Sequence, residues 1–590
     1  MRYGINDIAP SPAIPVKKSF LSLLLITGSW MVGCNQETPS SHAEGSSERR
    51  GESEKKVAPW FETVPASTGL NFRHSTGKTG RFLLPEMETG GVGLLDYDGD
   101  GWLDVVCLDG GSLETGKVGR PRHRLFRNLG AWSFEDVTEK VGFVCPDGYG
   151  MGCAVGDYDR DGWPDLYVTQ LGSNRLFRNT GRGTFEDVTD RAGVGVRSMS
   201  MSAAFVDYDG DGFLDLMVVN YVRWSLGAEM DCYSGEGRRD YCSPLNYTAP
   251  APTVLFHNRG DGTFEDVTQI SGVGKAYGNG FGIATGDFDH DGRIDIFVAN
   301  DAMPNQLWLN QGGGQFLEEG ILRGCGLNAL GVPRAGMGVV AVDLLQRGWL
   351  DLYVTHLAGE GNGLFLNQKG SFLDSLTIDG PMAGSIPFTG FGLEFADFDN
   401  DGQLDLYVAN GRVRLGIDTP DVADPYAEAS SLRRGLGAGR FEIIPRGGLA
   451  VDSLLVSRGL AAGDLDNDGA VDLVINNRDG ALRVLRNKAG DGGRWIGLRL
   501  IDAAGGEARN AVVKIDVGGR FQWRQNQPNQ GYNSSQDPRV HFGLGGDRHA
   551  DQVWVRWPDG RKESFGSCES GKVHLIQAGK GRLAPEAFDW

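Results

Sequence analysis

One nine-residue pattern occurs six times in this chain: aspartate at positions one, three and five, glycine at six, aspartate at nine. The copies are Asp96, Asp98, Asp100 and Asp104; Asp157, Asp159, Asp161 and Asp165; Asp207, Asp209, Asp211 and Asp215; Asp287, Asp289, Asp291 and Asp295; Asp397, Asp399, Asp401 and Asp405; and Asp464, Asp466, Asp468 and Asp472. A seventh copy, Asp343 to Asp351, has Leu345 and Arg347 where ligands would stand. Four carboxylates packed into each tight turn repel one another unless a cation neutralises them.

The spacing suits calcium. A hard divalent ion takes several oxygens at about 2.3–2.6 Å, and alternate residues of a tight loop point inward together. Glycine at position six (Gly101, Gly162, Gly212, Gly292, Gly402, Gly469) permits the sharp turn. Position seven (Trp102, Trp163, Phe213, Arg293, Gln403, Ala470) varies freely, as expected where only the backbone carbonyl binds. An EF-hand needs glutamate at position twelve; here that position holds Cys107, Val168, Val218, Val298, Val408 and Ile475. The expectation is about six Ca2+ ions, one per intact loop, with none in the decayed copy.

Each loop sits in a longer unit. The second copy runs from a small-residue stretch (Gly152 to Gly156) through the loop to Leu166-Tyr167-Val168, then Leu176-Phe177-Arg178-Asn179 and Phe185-Glu186-Asp187-Val188-Thr189. Short β-branched and aromatic runs between Gly, Asn and Asp turns at even spacing mark an all-β repeat array. Phe61-Glu62-Thr63-Val64 is a fourth strand with nothing before it, and the last unit, ending near Leu485-Arg486-Asn487, lacks one. Seven first strands and seven fourth strands, the latter starting at Phe61, Phe134, Phe185, Phe264, Phe316, Phe372 and Phe441, predict a seven-bladed β-propeller over 59–490, closed by the N-terminal strand. First strands rich in Gly and Ala suit a crowded centre.

If first strands run from top to bottom, the acidic loops lie at the bottom, and the long insertions (109–123, 221–253, 411–431) lie at the top. Variable loops on a rigid scaffold often carry binding. The expected recognition face is therefore the top, with strand-end residues Asn220, Asn300, Asp301, His356 and Asn410. The alternative is that the insertions merely pack between blades.

From about Asp491 a different β-pattern follows: Trp495 to Leu500, Ala511 to Val517, Phe521 to Gln525, Val540 to Leu544, Val553 to Trp557 and Val573 to Ile576. It predicts a small β-sandwich or barrel over 491–578 with a tail at 579–590. Trp495, Trp523, Trp554 and Trp557 read as core more readily than as a sugar-binding platform.

These residues resemble bacterial proteins with FG-GAP/VCBS-type propeller repeats followed by an ASPIC/UnbV domain, the cartilage acidic protein-like family. The resemblance spans about Phe61 to Phe565 and is carried by the Leu-Phe-Arg-Asn and Phe-Glu-Asp-Val-Thr blocks. It is also carried by Ala299-Asn300-Asp301 with Pro304-Asn305, the Cys232-Tyr233 and Tyr241-Cys242 insertion, His541-Phe542-Gly543-Leu544-Gly545 and Val555-Arg556-Trp557-Pro558-Asp559-Gly560. It implies a calcium-binding extracytoplasmic propeller whose ligand is open. Two features depart from the pattern: the fifth loop, and Gly531-Tyr532-Asn533-Ser534-Ser535, where a Ser-Gln-rich form is expected.

Lys17 and Lys18 precede an apolar stretch from Phe20 to Gly33 that ends at Cys34. This reads as a lipoprotein-type signal segment over 1–34, with Cys34 lipidated, then a polar linker over 35–58 that is expected to be disordered. The stretch is too short for a comfortable span, so the membrane is met through a lipid anchor alone. The expected place is the bacterial cell envelope, at the outer membrane, periplasm or cell surface; without lipidation the protein is secreted. A formal charge of −20 argues against nucleic acid. In an oxidising compartment Cys232 and Cys242 can form a disulfide, and Cys145 with Cys153 is a weaker second pair. Cys107 and Cys325 read as buried thiols.

No Gly-x-Ser-x-Gly elbow, His-Glu-x-x-His helix or phosphate loop occurs, and no catalytic residue is assigned. The leading expectation is a binding or adhesion module for a carbohydrate or extracellular protein. The alternatives are a lyase-like polysaccharide enzyme working through the insertions at 221–253 and 411–431 and a structural envelope subunit.

Overall fold

The computed structural model describes residues 58–113, 122–375, 380–416 and 422–584. Seven four-stranded antiparallel blades form the propeller, blades 2 and 3 being joined where Arg197–Val206 pairs with both Asp165–Ser173 and Asp215–Asn220. Blades 2 to 6 read in chain order, for example Tyr149–Gly156, Asp165–Ser173, Arg175–Asn179 and Phe185–Asp187 in blade 2. The ring closes as the sequence predicts: Phe61–Thr63 is the outer strand of blade 7, with Phe61 opposite Asn487 and Thr63 opposite Leu485. Buried side chains cluster between neighbouring blades, as where Tyr158, Val188 and Phe205 pack together between blades 2 and 3.

The second domain is a β-sandwich. Arg494–Ile501, Val540–Gly545 and Lys572–Gln577 form one sheet; Val512–Val517, Arg520–Gln525, His549–Arg556 and Lys562–Glu569 form the other. The expected tail contributes to it, since Arg582–Leu583 pairs with Glu563 and Ser564. Alternating residues such as Val513, Ile515 and Val517 fill the space between the sheets with Phe542, Val553 and Trp557. Trp495 and Trp557 are buried, whereas Trp523 and Trp554 are half-buried and lie 4.7 and 5.8 Å from the Lys514 ammonium. The expected core therefore claims two of the four tryptophans, and the other two clasp a cation on the outer sheet face.

The sandwich sits on the face that carries the acidic loops. Arg556 is 3.2 Å from Asp287 in blade 4, Gly545 N donates to Asn400 O of blade 6 at 2.8 Å, and Arg539 reaches Asp464 O and Asn467 Oδ1 of blade 7, each at 2.8 Å. Between its sheets the chain leaves the sandwich and enters the propeller's central channel as the segment 526–539. There it touches every blade. Ser534–Ser535 runs parallel to Val92–Gly93 of blade 1, and in blade 2 a Cβ on Gly152 would stand 2.8 Å from the Asn533 backbone. Asn533 N donates to Ser202 Oγ of blade 3 and Gly531 N to Val339 O of blade 5. Gln527 bonds Thr285 of blade 4, the Tyr532 ring lies 4.9 Å from Phe391 of blade 6, and Ala462 N of blade 7 donates to Gln536 Oε1. The small residues of the first strands thus make room for a polypeptide as well as for one another.

At the opposite end the insertions meet over the channel. The short helix Pro85–Glu88 lies beneath them, Tyr241 OH donates to Glu86, and Tyr426 OH donates to Asp240 at 2.7 Å. Cys232 and Cys242 form a disulfide, as expected. Cys145 and Cys153 do not pair; both are buried free thiols, each pushed up to about 12 by burial. Cys107 and Cys325 are also buried and free. Cys34 and most of the linker lie outside the described residues.

Candidate metal centres

Each acidic loop is built by its own backbone. Position six is left-handed, with φ between 87° and 93° in the six intact copies, which glycine alone adopts without strain. Position four is left-handed as well, at Gly99, Arg160, Gly210, His290, Asn400 and Asn467. Position-one carboxylates accept the glycine N–H, as from Gly101 to Asp96 at 3.0 Å. Position-five carboxylates accept the N–H of position seven: Trp102, Trp163, Phe213, Arg293, Gln403 and Ala470 all donate this way, at 2.8–3.1 Å. Position nine is wholly buried; Asp104 takes the N–H groups of Tyr97 and Asn128 at 3.0 and 2.8 Å.

The carboxylates converge. Ligand oxygens lie within 4.8 Å of one another in Asp96, Asp98 and Asp104, in Asp157, Asp159 and Asp165, in Asp207, Asp209 and Asp211, and in Asp287, Asp289 and Asp291. Several inner oxygens, Oδ1 of Asp96, Asp98, Asp159, Asp287, Asp289, Asp399 and Asp466, are shielded from solvent and have no hydrogen-bond partner among the described residues. A buried acceptor left unpaired costs about 1–3 kcal/mol, and a hard cation satisfies several together. Burial pushes Asp104, Asp165, Asp215, Asp405 and Asp472 well above the carboxylate range and Asp295 to about 8. The donor set is all oxygen, pre-folded and short of positive charge, so these residues fit a divalent cation.

A basic residue takes the outer oxygens. Arg127 binds Asp98 and Asp100, Arg178 binds Asp159 and Asp161, Arg434 binds Asp399 and Asp401, and Arg486 binds Asp466 and Asp468. In blade 3 His257 stands there, 3.3 Å from Asp209 and 3.2 Å from Asp215. One guanidinium against four carboxylates leaves each such loop negative. The decayed loop differs: Arg347, from within the loop, lies 2.7 Å from Asp351, and its backbone N–H donates to Asp343 at 2.8 Å. Two carboxylates and one guanidinium need no ion.

Sequence reasoning passed over the role of these arginines, and also that of the asparagine that stands at the same place in the third strand of every blade but the sixth. Asn310 Nδ2 donates to Tyr208 O in the preceding blade's loop at 2.7 Å; Asn128, Asn179, Asn258, Asn367 and Asn487 reach Leu465, Tyr97, Tyr158, Phe288 and Phe398 in the same way, at 2.8–2.9 Å. Blade 6 has Gly435 instead, whose N–H still donates to Asp405 at 2.8 Å but which has no side chain to reach the preceding blade. The repeated Leu-Phe-Arg-Asn block was the available signal.

The expected top-face residues are not a surface. Asn220, Asn300, Asp301, His356 and Asn410 are all buried. Asn220, Asn300 and Asn410 donate to the carbonyls of Pro252, Pro304 and Ala429, and Asp301 accepts the Tyr221 hydroxyl at 2.7 Å. Burial holds the His356 imidazole well below its ordinary pKa. Strand ends are where backbone groups lose their ladder partners, and the asparagines supply them. The cavity left at that end is small, about 20 Å3.

Fold and loops together define an acidic-loop β-propeller threaded by a C-terminal β-sandwich. The FG-GAP-like repeat model matches residues 96–168, 157–218, 233–298, 287–354 and 343–408, and the ASPIC and UnbV model matches 503–583. The chain belongs to the family that joins FG-GAP-like repeats to an ASPIC and UnbV domain. It is 28% identical over 509 residues to cartilage acidic protein 1 of Xenopus tropicalis, covering 80% of this chain and 70% of that one, and 27% identical over 585 residues to the Homo sapiens protein, covering 88% and 77%. Among solved structures it overlays YCF48 from Cyanidioschyzon merolae (TM-score 0.36, 9% identity, 72% of this chain and 98% of that one). It also overlays an Agrocybe aegerita lectin described as recognising non-reducing terminal N-acetylglucosamine (TM-score 0.36, 17% identity, 60% and 79%). Overlays of that quality carry no further argument.

Proposed function

We propose that the protein is a calcium-braced extracytoplasmic binding module. The unpartnered inner oxygens of the acidic loops carry the calcium part of this reading. Each intact loop takes one Ca2+, about six in all, and the ions hold the face on which the sandwich is seated. The sandwich covers that face and its own segment fills the channel, so a partner meets the opposite face or the rim. The disulfide-held insertion exposes Met230, Tyr233 and Leu245 there, Tyr233 at 62%. Partly exposed aromatic and aliphatic side chains on a stapled loop suit a carbohydrate or protein partner. Among the described residues, no helix is long and apolar enough to cross a membrane.

Calcium-loaded protein should bind members of a glycan array or a partner captured from the envelope, and Tyr233→Ala should weaken that binding without changing the melting temperature. Release of unsaturated oligosaccharides from a bound polysaccharide would replace this reading with the lyase.

A further inference from the structure

A cavity of about 130 Å3 lies between the sandwich and the bottoms of blades 6 and 7. One side is polar. Glu394 Oε2, Gln525 Oε1 and His541 Nδ1 all belong to residues of its wall, are shielded from solvent, and have no hydrogen-bond partner among the described residues. His541 Nε2 faces the Gly469 carbonyl at 3.0 Å and must carry the proton, because a carbonyl only accepts; the neutral ring then presents Nδ1 as an acceptor. Gln525 and His541 therefore leave two idle acceptors, while the Glu394 carboxyl, raised by burial to about 8, holds its proton near neutral pH, and the Arg524 guanidinium stands beside them as donor. The other side is apolar, formed by Phe395, Val471, Trp495 and Val573. Val573 is 40% exposed, so the cavity reaches solvent there.

We propose that this junction cavity binds a small neutral polyhydroxyl molecule of single-pyranose size. A cationic ligand would meet the fixed charge of Arg524, and an anion would meet the Asp537 carboxylate on the same wall. Hydroxyl groups both donate and accept, so they satisfy the idle acceptors and the guanidinium together. The C–H face of a sugar ring suits the apolar side. One water needs only about 10–15 Å3 of such space, so the volume admits a molecule of several heavy atoms. The site lies on the loop face, away from Tyr233, and is independent of the top-face reading.

The test titrates glucose, galactose, mannose, N-acetylglucosamine and myo-inositol, with putrescine and citrate as charged controls, into calcium-saturated full-length protein, read by calorimetry and saturation-transfer NMR. At least one neutral probe should bind one to one. Gln525→Met and Glu394→Leu should each weaken it by about tenfold or more, the loss expected for a buried polar contact, while Tyr233→Ala leaves it unchanged. If Glu394→Leu melts early, Gln525→Met alone decides. The proposal falls if no neutral probe binds, if putrescine or citrate binds more tightly, if Gln525→Met binds as wild type, or if crystals soaked in the probes show only water in the cavity.

Discussion

The hydroxyl of Tyr532 donates to the backbone carbonyl of Glu88 at 2.8 Å, joining a C-terminal segment to the first-blade cap through the centre of the propeller. Tyr532 is fully buried and packs edge-on against Phe281 and Phe391, with ring centroids 5.6 and 4.9 Å away. The channel is thus a core, and the sandwich is fixed from within the ring as well as from below.

Tyr532→Ala should therefore lower stability by about 3–5 kcal/mol, the usual cost of removing a buried aromatic. Tyr532→Phe, which keeps the ring and loses the hydrogen bond, should cost about 1 kcal/mol. Thermal melts in saturating calcium give both values; a wild-type melt for the alanine variant would mean that the segment is not seated in solution.

Calcium removal should have a large effect. If each intact loop binds at about 0.1 mM and meets about 1 mM free ion, linkage gives about 1.4 kcal/mol per site and about 8 kcal/mol for six. Chelator should lower the melting temperature steeply, and Asp159→Ala should reduce the calcium-dependent part by about one site. Asp343→Asn should leave the calcium dependence unaltered, because Arg347 already neutralises that loop. Equal melts with and without chelator would remove the basis for the metal reading.

Asn310→Ala deletes donors to Tyr208 O and Ile294 O, at 2.7 and 3.1 Å. Both carbonyls are then left without that partner inside the wall between blades, at a cost of about 1–3 kcal/mol. Chemical denaturation should show the loss with calcium present; no shift would indicate that blade packing alone sets the spacing.

Glu88 gives a pH signature. Burial raises its carboxyl from 4.5 to about 8. The folded state then holds a proton that the unfolded chain releases above its ordinary pKa, so this contribution is complete below about pH 4.5 and is lost as pH rises toward 8. Wild type in saturating calcium should melt progressively lower between pH 5 and 8, and Glu88→Gln should reduce that slope. Parallel profiles would show that the carboxyl is ionised in the fold.

The sequence alone determined the repeat, the blade count, the closing strand, the acidic loops and the disulfide, because each is a local pattern. Alternate aspartates followed by glycine define one turn, and a fourth strand such as Phe61–Thr63 without predecessors requires a partner such as Arg483–Asn487. Only the tertiary structure decided what lies across a gap. It buried Asn220 and Asn410 as strand-end partners, set Arg127 against its own blade's loop and Asn310 against the loop of the preceding blade, and drew Tyr532 into the channel. Those contacts depend on which surfaces meet once the ring closes; the Arg127 and Asn310 contacts leave a trace in the repeated Leu-Phe-Arg-Asn block, whereas desolvation at Asn220, Asn410 and Tyr532 leaves no periodic trace in the order of residues.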